Sequence, residues 1–198
     1  MRLLNTVNFK VEEFREDRVP RYAILSHTWG EEEVTLQDME QTRTANKKGY
    51  EKVQDCSSVA RANGFKYVWI DTCCIDKTSS VELSEAINSM YRWYQEADVC
   101  YGYLADVPSK ANFSGSRWFT RGWTLQELIA PSTLIFLDEN WKELGTKASL
   151  RQGISDCTRI PVGILSEDDL LETFSIAQRW ASFIGCRLMC DEFEVKHV

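Results

Sequence analysis

The feature that most constrains this chain is the alternation of short apolar runs with amphipathic helical stretches. A run at residues 22–25 breaks into the polar "SHTWG", "FKYVWID" at 65–71 breaks into "TCCIDKTSS", and "DVCYGYLADVP" at 98–108 closes on a proline. Between the first two, Tyr50, Val53, Cys56, Val59 and Ala60 recur at helical spacing until Asn63-Gly64, a helix stop. Between the second and third, Ser79-x-x-Glu82 forms a capping-box pattern, and Leu83, Ala86, Ile87, Met90, Tyr91 and Tyr94 then share one face. A strand, helix, strand, helix, strand order predicts an α/β fold, an open and mainly parallel sheet with helices on both faces. "RWFTRGWTLQELIA" reads as a further helix stopped by Pro131, and "TLIFLD" at 133–138 as a fourth strand. The opening residues read as irregular, and the chain past Trp141 reads as helical.

Such sheets bind ligands beyond the carboxyl ends of their strands. The first strand delivers Ser26, His27, Thr28, Trp29 and Gly30 to that edge, the second delivers Asp71, Thr72, Cys73, Cys74 and Asp76, and Glu127 follows the third. Polar groups beside tryptophan suit a ligand with hydroxyls and an aromatic ring. Each residue also has a structural reading: Asp71 as a turn cap, His27 as a hydrogen-bonded core histidine, and Cys73-Cys74 as packing. Trp118 and Trp123 read as core anchors, and Arg117 and Arg121 as surface charges or phosphate clamps.

A net charge of -7 with scattered Lys and Arg argues against a nucleic-acid surface. No apolar run reaches membrane-spanning length, and the start lacks a signal-peptide pattern, so a cytoplasmic protein is expected. The seven cysteines include no C-x-x-C pair. Cys186-x-x-x-Cys190 lacks the second half of a zinc site, so no metal is expected.

"YAILSHTWG", "WIDTCCIDK", "EAINSMYRWY" and "SRWFTRGWTLQELIAP" resemble, in order, the blocks of the fungal heterokaryon-incompatibility (HET) domain over roughly residues 1–161. The resemblance implies a fungal module that triggers regulated cell death when genetically different cells fuse, commonly joined to a sensor. Residues 162–198 are expected to form a C-terminal helical extension, divergent or truncated, because "FIGCRLMCDEFEVKHV" departs from the family pattern. The block order is also similar to TIR domains, with a first strand ending in Ser, a second in Asp, and a later Trp-x-x-x-Glu-Leu at Trp123 to Leu128. That similarity implies a TIR-like, flavodoxin-like topology with HET-specific insertions.

It further implies that Glu127 is catalytic in splitting NAD or NADP at the nicotinamide–ribose bond. Ser26, His27, Trp29, Gly30, Asp71, Cys73, Arg121 and Trp123 would line the site. NAD(P) would be a substrate rather than a permanently bound cofactor, with self-association on activation and a sensor protein as a further partner. The alternative is a non-enzymatic signalling or oligomerisation module in the same cell-death response.

Overall fold

The computed structural model describes residues 1–41 and 47–165. Seven strands form one sheet: β1 (Arg2–Asn5), β2 (Val11–Glu13), β3 (Ala23–His27), β4 (Tyr67–Ile70), β5 (Val99–Tyr103), β6 (Leu134–Leu137) and β7 (Glu143–Thr146), in the order β2-β1-β4-β3-β5-β6-β7. The four central strands β4, β3, β5 and β6 are parallel, and the joins of β1 to β2, β1 to β4 and β6 to β7 are antiparallel. Numbered among themselves, the parallel strands run 2-1-3-4, the order in which a flavodoxin-type doubly wound sheet begins. Connections leaving β3 and β4 therefore diverge at the carboxyl end of β3, where a ligand crevice forms in such sheets.

The helices are α1 (Leu36–Glu40), α2 (Gly49–Ala62), α3 (Asp71–Cys74), α4 (Ser80–Glu96), α5 (Thr124–Ile129), α6 (Lys147–Thr158) and α7 (Val162–Leu165). They cover both faces of the sheet, as the end of β3 shows. Neighbouring strand residues point to opposite faces. His27 reaches Lys52 on α2, while Ser26 reaches Glu127 on α5. Every residue of β3 and β4 is buried, as two covered faces require.

Three readings of the sequence are corrected. The opening residues form β1 and β2, in which Leu3 and Leu4 are fully buried; RLLN lacks the unbroken apolar run of the equally short β4, and pairing with β4 makes the strand. The residues after Trp141 begin with β7 rather than helix, held by antiparallel pairing to β6. The stretch before Pro131 is broken: a 3-10 turn at Arg117–Thr120 ends at Arg121, which is extended, and α5 starts only at Thr124. The capping box at the start of α4 is half formed. Ser79 accepts from the Glu82 N–H, but the Glu82 carboxylate turns to the Asp76 N–H at 2.8 Å and to Arg2. The predicted stop after α2 is present, with Gly64 at φ +83°. The expected helix "FSIAQRWASFIG" lies outside the described residues.

One glycine matters for the site. A Cβ at Gly102 on β5 would stand 3.0 Å from the Phe136 ring. Its absence lets Phe136 lie against the strand, where Trp118 and Phe113 pack edge-on to it at 5.4 and 5.0 Å. Gly102 is also the register partner of Ser26. The aromatic cluster thus brings the Trp118 indole to the end of β3.

Candidate functional site

The site gathers around the carboxyl end of β3 in two clusters, one on each face, the first buried and the second partly buried. On the α5 face, Ser26 is the hub. Its Oγ donates to Glu127 Oε2 at 2.6 Å and accepts from Trp118 Nε1–H at 2.7 Å. Arg121 grips the same carboxylate with two parallel bonds, Nη1 to Oε2 at 3.1 Å and Nη2 to Oε1 at 3.2 Å, the strong fork geometry of guanidinium and carboxylate. The Tyr94 hydroxyl, from α4, lies 3.5 Å from Oε1 and 3.4 Å from the Leu25 carbonyl. Burial, and then the Glu127 charge, push the Tyr94 phenol well above its ordinary range, so it remains a donor. The Glu127 side chain is 4% exposed and that of Arg121 22%, so the carboxylate lies behind the guanidinium.

Local sequence explains this placement. Ser116 caps the 3-10 turn by accepting the Trp118 N–H, and Asp106 fixes Ser116 Oγ at 2.7 Å and the Arg117 N–H at 2.8 Å. Thr124 opens α5 by donating its hydroxyl to the Trp118 carbonyl. The half-buried Trp123 offers its carbonyl to the Glu127 N–H at 3.3 Å. At the other end of α5, Lys147 is 92% buried and donates to the carbonyls of Leu128 at 3.2 Å and Pro131 at 2.6 Å, satisfying groups the helix leaves open.

On the α2 face, His27 joins Asp71 Oδ1 through Nε2 at 3.0 Å and Lys52 Nζ through Nδ1 at 3.0 Å. An ammonium has only donors, so Nδ1 accepts and the ring proton sits on Nε2, donated to Asp71. Trp29 Nε1–H donates to Asp71 Oδ2 at 2.8 Å. Lys77 lies 3.5 Å from the same oxygen and 3.5 Å above the Trp29 ring. Desolvation would push the Asp71 carboxyl up, but Lys77, the His27 bond and Arg121 together hold it well below the usual carboxylate range. Glu33 completes this cluster by accepting from the Gly30 N–H at 2.5 Å and pairing with Lys52.

Arg121, paired with Glu127, also acts by its charge on Asp71 in the other cluster. Three carboxylates (Glu33, Asp71, Glu127) thus face three cations (Lys52, Lys77, Arg121).

Of the residues singled out in the sequence, Ser26, Arg121 and Glu127 form one cluster, with Trp123 placing the Glu127 backbone; His27, Trp29, Gly30 and Asp71 belong to the other. Cys73 stands apart. It is fully buried in α3, and contact with Cys74 together with burial push its thiol well above its ordinary range, so it holds its proton. The structure adds Tyr94, Trp118, Lys52, Lys77 and Glu33 to these clusters. Tyr94 and Trp118 read as core, Lys77 and Glu33 stand just past the loop residues read as the site, and Lys52, on α2, is brought to this edge only by the fold. Among the described residues, no group of three His, Cys, Asp or Glu is placed to hold a metal ion, and no helix is long and apolar enough to cross a membrane.

Residues 22–113 match the family model of the heterokaryon incompatibility protein. The chain contains a heterokaryon incompatibility (HET) domain. It is also similar to the vegetative incompatibility protein HET-E-1 of Podospora anserina, with 48% identity over 177 residues. That match takes in 83% of this chain but 13% of the relative, so the chain spans a small part of the relative's length. No solved structure matches. The HET family match covers the first two strand-end loops, with Ser26, His27, Trp29 and Asp71, and ends before Arg121 and Glu127.

Proposed function

We propose that the HET domain is the effector of a fungal incompatibility cell-death response, and that it acts as a TIR-like glycohydrolase splitting NAD or NADP at the nicotinamide–ribose bond. The observation that carries the chemistry is Glu127. It is a nearly fully buried carboxylate, aimed by Ser26, at the end of the strand where a doubly wound sheet opens its ligand crevice. Support for the cell-death role comes from the family match and the incompatibility relative.

Cleavage of this bond passes through an oxocarbenium-like ribose. A fixed carboxylate stabilises that charge or holds the ribose hydroxyls as it develops. Nicotinamide departs neutral, so the leaving group needs no general acid, and one carboxylate suffices where an O-glycosidase needs two. Ser26, with Trp118 and Tyr94 behind it, is the positioning residue that keeps the carboxylate oriented without reorganisation. The pocket would be completed on self-association, in the cytoplasm, with a sensor protein as the activating partner.

The test is nicotinamide release from NAD by the purified, concentrated protein beside a folded Glu127→Ala variant. Release that depends on Glu127 supports the hydrolase. Absence of release from folded, self-associated protein refutes it. One observation favours a second reading: the fork of Arg121 and the Ser26 bond satisfy Glu127 as they would a purely structural ion pair, which suits a signalling or oligomerisation module. Under that reading Glu127→Ala leaves toxicity in a fungal host intact.

A further inference from the structure

We infer that the Arg121–Glu127 pair is a charge-exchange site, which opens to a ligand carrying an anion and a cation together and stays closed to a ligand carrying either one alone. Naming a pyridine dinucleotide as that ligand rests on the glycohydrolase reading above, whereas the charge requirement follows from the pair itself.

Both carboxylate oxygens of Glu127 are engaged by Arg121, and the side chain beneath is almost wholly buried. An anion by itself would draw the more exposed guanidinium outward. Glu127 would then be left buried with only the Ser26 and Tyr94 hydroxyls, and stranding one member of a buried pair is far costlier than never forming it. A cation by itself gains nothing, because it only exchanges one ion pair of Glu127 for another while the guanidinium loses its partner. It would have to reach Glu127 past Arg121, and the displaced guanidinium would turn to Asp71, which His27, Trp29 and Lys77 already engage.

A ligand with both charges replaces one pair by two. Its phosphate takes the guanidinium and its cationic end takes the carboxylate, so no charge is stranded. The exposure gradient sets the order, with the anion engaging Arg121 first and Glu127 uncovered behind it.

Among dinucleotide-like molecules the rule separates close relatives. An oxidised pyridine dinucleotide carries a pyridinium and a pyrophosphate. The reduced form has lost the ring charge, ADP-ribose lacks the ring, and nicotinamide riboside lacks the phosphates. The site therefore selects the oxidised dinucleotide by charge pairing, without a contact dedicated to the redox state of the ring.

The experiment is calorimetric titration at low salt with a non-hydrolysable carbocyclic NAD analogue, NADH, ADP-ribose and nicotinamide riboside. The proteins are the wild type, Glu127→Gln and Arg121→Gln, with folding checked by circular dichroism. In the wild type the oxidised analogue is expected to bind about tenfold or more tightly than each of the other three. Glu127→Gln, which frees Arg121, is expected to bind ADP-ribose about tenfold more tightly than the wild type does and to lose the preference for the oxidised ring. Arg121→Gln is expected to lose affinity for every phosphate-bearing ligand.

Equal wild-type affinities for the oxidised analogue and ADP-ribose would overturn the inference, as would no binding at all, or no gain for ADP-ribose in a folded Glu127→Gln. The wild-type ranking decides the matter even if the variants misfold. Nicotinamide release, measured separately, keeps the two ideas apart. The ranking without release sinks the hydrolase and leaves the site; Glu127-dependent release without the ranking sinks only the site.

Discussion

Replacing Ser26 by alanine removes one oxygen that serves two partners. Trp118 is fully buried, so its indole N–H loses its acceptor with no water to replace it; an unsatisfied buried donor costs about 1–3 kcal/mol. Glu127 loses its 2.6 Å donor, and a hydrogen bond to a charged group contributes roughly 1.5–3 kcal/mol, although Arg121 still holds the carboxylate. The two losses share one network and do not simply add, so the expected destabilisation is about 2–4 kcal/mol.

A double-mutant cycle isolates the part due to the indole. Trp118→Phe removes the donor along with ring volume, so by itself it costs about 2–4 kcal/mol from lost packing against Phe119 and Phe136. In the Ser26→Ala/Trp118→Phe double variant no donor is stranded, so it should be about 1–2 kcal/mol more stable than the sum of the single losses predicts. Urea unfolding followed by tryptophan fluorescence and far-ultraviolet circular dichroism, with unchanged m-values, supplies the four free energies. Additivity within about 0.5 kcal/mol would refute the claim that Ser26 links Trp118 to the site.

Three further predictions concern the surroundings. The Asp71 carboxyl has its folded pKa held below the unfolded value, so its contribution to stability is complete above the ordinary carboxylate range and disappears as pH falls through that range toward the depressed folded value. Stability measured between about pH 3 and 6 should therefore fall less steeply on acidification in Asp71→Asn than in the parent, and an equal slope would exclude Asp71 as a source of acid sensitivity. Lys147→Met strands the Leu128 and Pro131 carbonyls and should cost about 1–3 kcal/mol in urea unfolding, with faster hydrogen exchange across Thr124–Ile129 as the local signature. Burial pushes the Cys56 and Cys100 thiols far up, like Cys73, whereas Cys157 is only partly buried; peptide mapping after brief iodoacetamide treatment at pH 8 should find Cys157 modified well before those three.

How much of this was legible in advance can be followed along the chain. The three buried strands, the helices between them and the stop at Asn63-Gly64 came from apolar runs, periodicity and turn chemistry, because the strands carry apolar runs and the helices are long enough to show their period. β1 and β7 were invisible: RLLN and ELGT lack the unbroken apolar run that marks the equally short β4 and β6, and both are strands only by virtue of the neighbour they pair with. The break at Arg121 was hidden because Phe119, Trp123, Leu125 and Leu128 mimic one helix, while Ser116 and Thr124, bonded to Asp106 and the Trp118 carbonyl, build a turn and a restart.

The sequence by itself determined that Ser26, Asp71 and Glu127 would be delivered to one edge of the sheet, since strand ends in a parallel α/β fold all open the same way. Only the tertiary structure decided what each group does there. Adjacent residues of a strand face opposite sides, so Ser26 and His27, joined by one peptide bond, serve different clusters. The meeting of Glu127 with Ser26, 101 residues away, and of Asp71 with His27, 44 residues away, depends on distances of 2.6 and 3.0 Å, set by how α5 packs against the sheet and how β4 lies beside β3. Residue types and spacing do not contain that information, because polar contacts are made or lost within ångströms while the partners stand tens of residues apart in the chain.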